Sequence, residues 1–489
     1  MEKAKNDFDT QSVWGLDKVP RYPELTGNLK QDIVVVGGGI AGVLAAYRLS
    51  ERGHNVTLAE AETLGSGTTC KTTAHISALH GIEYLPLVKT YGEKRAADFF
   101  NSQQRAIDSY EDVIVRNNID CDFERVPAYL YTESKNPDNF KREYGLMKKL
   151  GFGVEFFDKL DGFPAEITAA FGLKQAKFNP MKFIYGLPKN FEIFEKSRVK
   201  GIDLTDKTLY TDKGSIKADI IIFATKYPVE SLRNFYFAKI YQSQDYAIAV
   251  KSDEKIGALY TEDKEDGFCM RGYGGYIILD GLDHRSGRVN SLDKFQTLHA
   301  YAKKLFPYSE PAFDWDANDC VTFDGIPYIG RMSKRLKDVY VITGFNKWGM
   351  AHAMTASELI ADLIENKANP YEELFSPLRR RNIYYLPDFL KNAAAVTLSL
   401  AKAFVKIPFK TAENLKTDSG GIVFYKGRRR AVYKDADGRL YPINRMCPHM
   451  KCELEWNGNT HTWDCPCHGS RFDIHGNIIT APTVFRNAK

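Results

Sequence analysis

The sequence predicts an α/β domain grown on a βαβ unit, an antiparallel sheet inserted into that domain, and a small all-β module at the end of the chain. Three observations predict this. The stretch "DIVVVGGGIAGVLAAYRLSERGHNVTLAEAE", Asp32 to Glu62, reads as a buried strand over Ile33 to Val36, a glycine turn, an amphipathic helix to about Arg52 and a second strand ending at Glu60. In the middle of the chain "QDYAIAVKSDE", "GALYTED" and "GGYIILDG" follow one another as antiparallel strands do. From about Thr411 onward, short strands surround the turn "DADG", Asp435 to Gly438.

Between these landmarks, Glu83 to Leu150 is helical and charged in pattern. Short strands return between Gly186 and Ile222 and close with "ADIIIFATKYP", an apolar strand running into a turn. "VYVITGFNKWGMAHAMTASELIADLIEN" is again strand, glycine loop and helix. The chain then divides into a polar arm (1–30), a first domain (31–375), a helical linker (376–410) and the terminal module (411–489). Within the first domain the dinucleotide-binding part comes from 31–82, 186–228 and 318–370, and the substrate part mainly from 83–185 and 229–317. In the linker Phe389 to Val405 reads as one helix. Its uncharged run is too short to span a bilayer, so packing on the main body is expected before membrane-surface contact.

The 489 residues exceed one core, since domains average roughly 150 residues, and suggest about two to four units. Hydrophobic content of 44% and charged content of 26% are those of an ordinary globular protein. The first thirty residues lack the apolar core of a signal peptide, and no window reaches the ~18 apolar residues of a membrane span. A cytoplasmic protein is expected, at most peripheral to the membrane. A net charge of +5 gives no reason to expect nucleic acid. The basic run "KGRRR", Lys426 to Arg430, is expected to be a solvated hairpin face rather than a dock for an acidic redox partner.

"GGGIAG" places Gly37, Gly39 and Gly42 in G-x-G-x-x-G spacing, after a strand and at the start of a helix, and Glu60 follows where a carboxylate takes a ribose hydroxyl. That context makes a Rossmann-like dinucleotide site. "GYGGYI", Gly272 to Ile277, lacks the last glycine and the preceding strand, so one dinucleotide is expected, not two. From about Asp32 to Glu365 the chain resembles flavoproteins of the glycine and D-amino-acid oxidase (DAO) type. The resemblance rests on this fingerprint, "GSGTTCKTTAH" (Gly65 to His75), "FATKYP", "DGIPYIG" (Asp324 to Gly330) and "GFNKWGM" (Gly344 to Met350).

The resemblance implies FAD, held by Gly37, Gly39, Ile40, Ala41, Gly42 and Glu60. Thr68, Thr69, Thr73, Ala74 and His75 would lie beside the flavin ring, Val199 would meet the adenine through its backbone, and Ala224 and Thr225 would line the site. Gly344, Phe345, Asn346, Trp348, Gly349 and Met350 would bring a helix N-terminus to the flavin's pyrimidine edge, where reduced flavin carries negative charge. It also implies oxidation of a carbon-nitrogen bond in an amine or amino acid. Candidate pocket residues are Lys71, Arg271, Tyr273, Tyr276, Lys347 and His352. Some relatives hold a substrate carboxylate with a basic side chain where this chain has Ala351. His75 and His80 make H-x-x-x-x-H, but no carboxylate stands three residues before His75 to complete an iron triad. Cys320 and Cys70 are weak candidates for a covalent flavin link.

Of eight cysteines, Cys70, Cys121, Cys269 and Cys320 are scattered, as buried small hydrophobes usually are, while four crowd into "CPHMKCELEWNGNTHTWDCPCHGS", Cys447 to Ser470. The C-x-H and C-x-x-H pairs suit a zinc ribbon or a mixed-ligand [2Fe-2S] centre. "CPCHGS" resembles Rieske proteins, over about Gly420 to Arg486. That resemblance implies Cys447 and Cys465 on one iron, His449 and His468 on the other, a disulfide between Cys452 and Cys467, and a hydrogen bond from Ser470 to a cluster sulfur. Many high-potential members have Tyr where this chain has Phe472, which predicts a potential below the top of the Rieske range. His461 and His475 fit neither ligand position and are expected at the surface.

The sequence-level expectation is therefore an α/β Rossmann-like FAD-binding domain with an inserted antiparallel-sheet substrate domain, plus a small all-β Rieske domain. A small-molecule substrate would reduce FAD, and the cluster would deliver electrons singly to an acceptor protein or a quinone. Rival expectations are an oxidase using oxygen with a structural or regulatory cluster, a reductase fed by a donor protein through the cluster, and a non-catalytic electron carrier.

Overall fold

The computed structural model describes residues 12–15, 19–229, 235–264, 266–288, 292–379 and 411–487. The linker helix expected over Phe389 to Val405 lies outside them. The run Ile33 to Val36 ends a longer strand, β1 (Gly27–Val36), whose last four residues are all buried, as in a central parallel strand. It lies between two parallel neighbours, β2 (Val56–Ala59) and Gly214–Phe223, with Val36 level with both Ala59 and Phe223. Val339–Thr343 and Tyr328–Arg331 extend the sheet on one side and Glu192–Phe194 on the other. The carboxyl ends of the parallel strands thus lie side by side, where open α/β sheets bind ligands. Helix α1 (Ile40–Glu51) is buried nearly all round because it packs both on this sheet and against the helix Gly349–Ile364.

The inserted sheet has nine strands and is largely antiparallel. One pairing is parallel, Leu259–Glu262 beside Glu124–Thr132. This second strand corrects the helical reading of Glu83 to Leu150. Helices Tyr84–Tyr91, Glu93–Arg116 and Asp138–Lys149 do form, but Val126, Ala128 and Leu130 point inward at strand period between them. The alternation is short and its helical neighbours mask it. Gly274 and Gly275, with φ of +55° and +84°, are the two-residue turn joining Cys269–Tyr273 to Tyr276–Arg285. "GYGGYI" is therefore a hairpin.

The strand Glu310–Thr322 crosses the position-318 boundary between the two parts. It pairs with Ile240–Lys251 along its length, and its last residue, Thr322, donates its N–H to Asn346 Oδ1 at 2.7 Å. One continuous strand thereby ties the inserted sheet to the loop before Gly349–Ile364. The N-terminal arm is also tied down. Trp14 is 1% exposed and donates Nε1 to Thr72 O at 2.6 Å, and Leu25 N donates to Ser197 Oγ at 2.9 Å.

The terminal module holds a three-stranded sheet (Ser419–Tyr425, Arg428–Lys434, Leu440–Ile443) and a four-stranded one (Glu455–Asn457, Thr462–Asp464, Arg471–Phe472, Ile478–Thr480). Lys426 and Gly427, both at positive φ, turn the first hairpin, and Arg429 pairs with Glu453 at 3.2 Å. "DADG" turns the next, with Gly438 N donating to Asp435 O at 3.1 Å. Among the described residues no helix is long and apolar enough to cross a membrane.

Candidate functional site

The glycine loop leaves β1 where a side chain has no room. Gly37 has φ of +110°, and a Cβ on it would stand 2.8 Å from Ala224 O. A Cβ on Gly42 would collide with Gly37 O. The turn is held on its outer side by Glu60, whose carboxylate accepts from Gly38 N at 2.6 Å and Glu62 N at 2.7 Å. Burial raises the Glu60 pKa, while these N–H groups and Arg198 pull it back. Thr69 Oγ1 meets the first free amide of α1, Ile40 N, at 2.9 Å.

A cavity of about 440 Å³ opens over this loop. Gly37, Gly39, Ile40, Ala41, Glu60, Thr68, Thr69, Val199, Ala224, Thr225, Gly344, Phe345, Gly349 and Met350 all line it, with Lys71, Lys347 and Cys320. Its lining thus runs from a carboxylate beside one helix N-terminus to the N-terminus of Gly349–Ile364, which has no side-chain cap. Its size, backbone amides and cramped glycine turn fit FAD. Gly42 stands behind the wall as packing.

Thr73, His75 and Trp348 line a smaller adjoining pocket of about 110 Å³. Ala74 is buried at φ +58° with its carbonyl accepting from Arg271. Asn346 buttresses the last loop, its Nδ2 donating to Gly325 O at 2.8 Å. Cys320 shares the large cavity, but burial pushes its thiol up to about 12, away from nucleophilic use. His80 stacks on Trp348 and pairs with Glu83, and among the described residues no third metal ligand joins it and His75.

The pocket candidates separate. Lys347 and Lys71 line both spaces. Arg271 lies in neither lining: it is 1% exposed and donates Nη1 to the carbonyls of Thr73, Ala74 and Phe178. Tyr273 bonds Asp122 and Asn179, and Tyr276 packs on Phe313. His352 is wholly buried among Phe99, Phe345 and Phe375, where burial drives its pKa well down. Sequence reasoning missed four acidic residues of the smaller pocket, Asp245, Asp280, Asp283 and Asp319. They sit on three strands far apart in sequence and carry no local motif.

In the terminal module Cys447 and Cys465 are free, buried thiols. The rings of His449 and His468 lie 5.1 Å apart, nearly perpendicular. His449 Nδ1 and both ring nitrogens of His468 are buried without hydrogen-bond partners. Burial lowers His449 to about 4, and burial with His449 and Arg285 lowers His468 to about 3, so both rings are neutral, as metal ligands must be. Two thiols and two orphaned imidazoles fit a [2Fe-2S] cluster with mixed ligation. Cys452 and Cys467 are joined in a disulfide that braces the two loops. They also lie near Cys465, but being bonded to each other they make no separate metal centre. His461 pairs with Asp418, and His475 packs on Tyr441. Buried Ser470 reaches Cys447, and Phe472 is 0% exposed. Phe472→Tyr is expected to raise the cluster potential by about 40 mV, one net hydrogen bond of about 1 kcal/mol in a one-electron couple. A redox titration showing no rise would refute the missing-donor explanation.

The imidazole side of this module is turned toward the flavin cavity. The ring of Tyr227, fully buried and lining that cavity, lies 6.5 Å from His449 and 6.4 Å from His468. Phe237 lies 6.0 Å from His468, and Gln242 Nε2 donates to His468 O at 2.7 Å. Arg471 locks the contact, since its five N–H groups meet Asp316, Asn318, Asp464, Thr460 and Thr462. Asn457 Nδ2 adds a bond to Gln244 Oε1 at 3.1 Å.

A dinucleotide cavity at the switch edge of an α/β sheet, with a Rieske-type ligand set against its wall, defines a flavoprotein oxidoreductase carrying its own iron-sulfur module. The chain belongs to the FAD dependent oxidoreductase (DAO) family, whose sequence model matches residues 32–363, and a Rieske [2Fe-2S] domain matches residues 406–487. It is 31% identical over 481 residues to YhfW of Bacillus subtilis (strain 168), which bears a Rieske 2Fe-2S iron-sulfur protein name; the match covers 95% of this chain and 94% of that protein. Similar solved folds include glycine oxidase from Geobacillus kaustophilus, with TM-score 0.62, 19% identity, and 72% of this chain and 100% of that one covered. L-proline dehydrogenase from P. horikoshii gives TM-score 0.61 at 21% identity, with 73% and 97% covered.

Proposed function

We propose that this protein oxidises a carbon-nitrogen bond of an amine or amino acid and passes the electrons through its Rieske module to an external one-electron acceptor, a protein or a quinone. The observation that carries this reading is Tyr227, which forms part of the flavin cavity on one side and faces both imidazole ligands on the other. When bound, FAD supplies hydride acceptance and the cluster supplies one-electron transfer. The chain's own residues arrange the rest. Gly349 presents an uncapped helix N-terminus that favours negative charge at the cavity wall. Tyr227 packs its ring between the cavity and the two imidazoles, Phe237 packs on His468, and Arg471 with Gln242 holds the two bodies in register. Fold relatives named for glycine and proline oxidation support the substrate class.

Anaerobic rapid mixing of the loaded protein with a panel of amines and amino acids tests this. Flavin bleaching followed by loss of the oxidised-cluster spectrum is expected. Tyr227→Leu should slow the second phase at least tenfold. If the flavin bleaches and the cluster stays oxidised, the relay is wrong.

A further inference from the structure

The smaller pocket shares Lys71, Thr72, Asp319, Lys347, Gly349 and Met350 with the large cavity, so it opens directly beside the flavin site. Its charges are unevenly matched. Lys347 Nζ bridges Asp245 at 2.8 Å and Asp283 at 2.7 Å, and Asp283 also accepts from Ser243 Oγ at 3.1 Å. That lysine is fully engaged. Asp280 Oδ1 is buried without a hydrogen-bond partner, and so is Nε2 of His75, a residue only 6% exposed that lines the same pocket from the Gly65 to His75 loop. A buried polar atom left unmet costs about 1–3 kcal/mol, more when charged, so Asp280 Oδ1 calls for a donor from outside the chain, and so does His75 Nε2 in the tautomer that carries its proton on Nδ1.

Most groups that would receive a substrate carboxylate are absent or spent. Ala351 carries no charge, the Arg271 guanidinium is held by three backbone carbonyls, and Lys347 serves two aspartates. Lys71 is the remaining cation of the lining, on the side shared with the large cavity, where its charge acts on Asp316. A carboxylate entering here would meet Asp245, Asp280, Asp283 and Asp319 at close range. A volume of about 110 Å³ holds roughly four water-sized groups, enough for an aminoalkyl head.

We infer that this pocket seats a protonated aliphatic amine without an α-carboxylate, with Asp280 Oδ1 and His75 Nε2 as the atoms left to meet it. This rests on the oxidation reading above and narrows its substrate class. Burial and the nearby Arg271 and Lys177 charges hold His75 neutral, with a pKa of about 3, and an uncharged ring does not repel a cation. The charge on Asp280 is likewise claimed by the ligand: burial pushes its pKa up to about 8, and an incoming cation pulls it back down.

Titration calorimetry on the FAD- and cluster-loaded protein tests this with three matched probes. They are tert-butylamine, which has no α-hydrogen to lose, its carboxylate counterpart pivalate, and neutral tert-butanol. The amine is expected to bind at least tenfold tighter than either, and Asp280→Asn to weaken it at least tenfold. Pivalate binding as tightly as the amine overturns the inference, and this comparison on the unaltered protein stands even where the variant does not fold. Amine affinity unchanged in a folded Asp280→Asn protein also overturns it. Amine-preferring binding with no flavin bleaching by any amine would support the pocket and sink the oxidation reading. Bleaching by α-amino acids with pivalate favoured would do the reverse.

Discussion

Arg471→Met is expected to release the Rieske module from the flavin body, at a cost of about 3–5 kcal/mol. Methionine keeps much of the apolar volume but removes all five donors. Asp464, 0% exposed, is then left as a buried carboxylate with no cation, and Asp316, 5% exposed, keeps only the charge of Lys71. Calorimetry should show two separated transitions where the unaltered protein unfolds with its bodies coupled, and flavin-to-cluster transfer should fall with the loss of register. Adding Asp316→Asn should recover part of the loss, because it removes one stranded charge. A single transition at the original midpoint would contradict the locking role. The pH dependence has a fixed sign. Burial alone raises the Asp316 pKa, but Arg471 and then Lys71 hold it below the ordinary carboxylate value. Its stabilisation is therefore complete above the unfolded value of about 4 and is lost as pH falls through the lower folded value.

Gly42→Ala is expected to remove FAD while leaving the iron-sulfur module loaded. The new methyl group would collide with Gly37 O and crowd Val35 Cγ1, and Gly37 is itself fixed by its N–H bond to Ala59 O at 2.9 Å. Relief must come from the turn that receives the pyrophosphate. Overpacking of this kind costs about 1–3 kcal/mol, which a pre-shaped loop passes on as lost affinity of about ten- to a hundredfold. The flavin absorption of the purified protein should drop while iron content stays constant. Gly145→Ala, at a helix position with nothing within 4 Å, is the control and should leave both unchanged. Normal flavin content in Gly42→Ala would show that the turn can yield.

Much of the fold was legible because its signals are local. The βαβ unit, the glycine spacing and Glu60 fall within one short stretch, and the Rieske loops carry ligands at fixed offsets. The strand Glu124–Thr132 was not legible, since its alternation is short and charged helices stand on either side of it until Ala169–Lys177 pairs with it. The pocket candidates show the same divide. Arg271 and His352 look reactive by type, yet the fold spends one on backbone carbonyls and walls the other in with aromatic rings.

The sequence by itself carried the dinucleotide fingerprint and the paired C-x-H and C-x-x-H loops, because such signals act over a few residues, and the resemblance of "CPCHGS" to Rieske proteins chose iron-sulfur over zinc. Only the tertiary structure decided that the His449 and His468 rings face Tyr227 and the flavin cavity, that Arg471 joins the two bodies, and that Asp280 Oδ1 is left without a hydrogen bond. Those outcomes depend on burial and on which charges meet across strands from opposite ends of the chain, and desolvation makes such pairings energetically decisive only once the chain has folded.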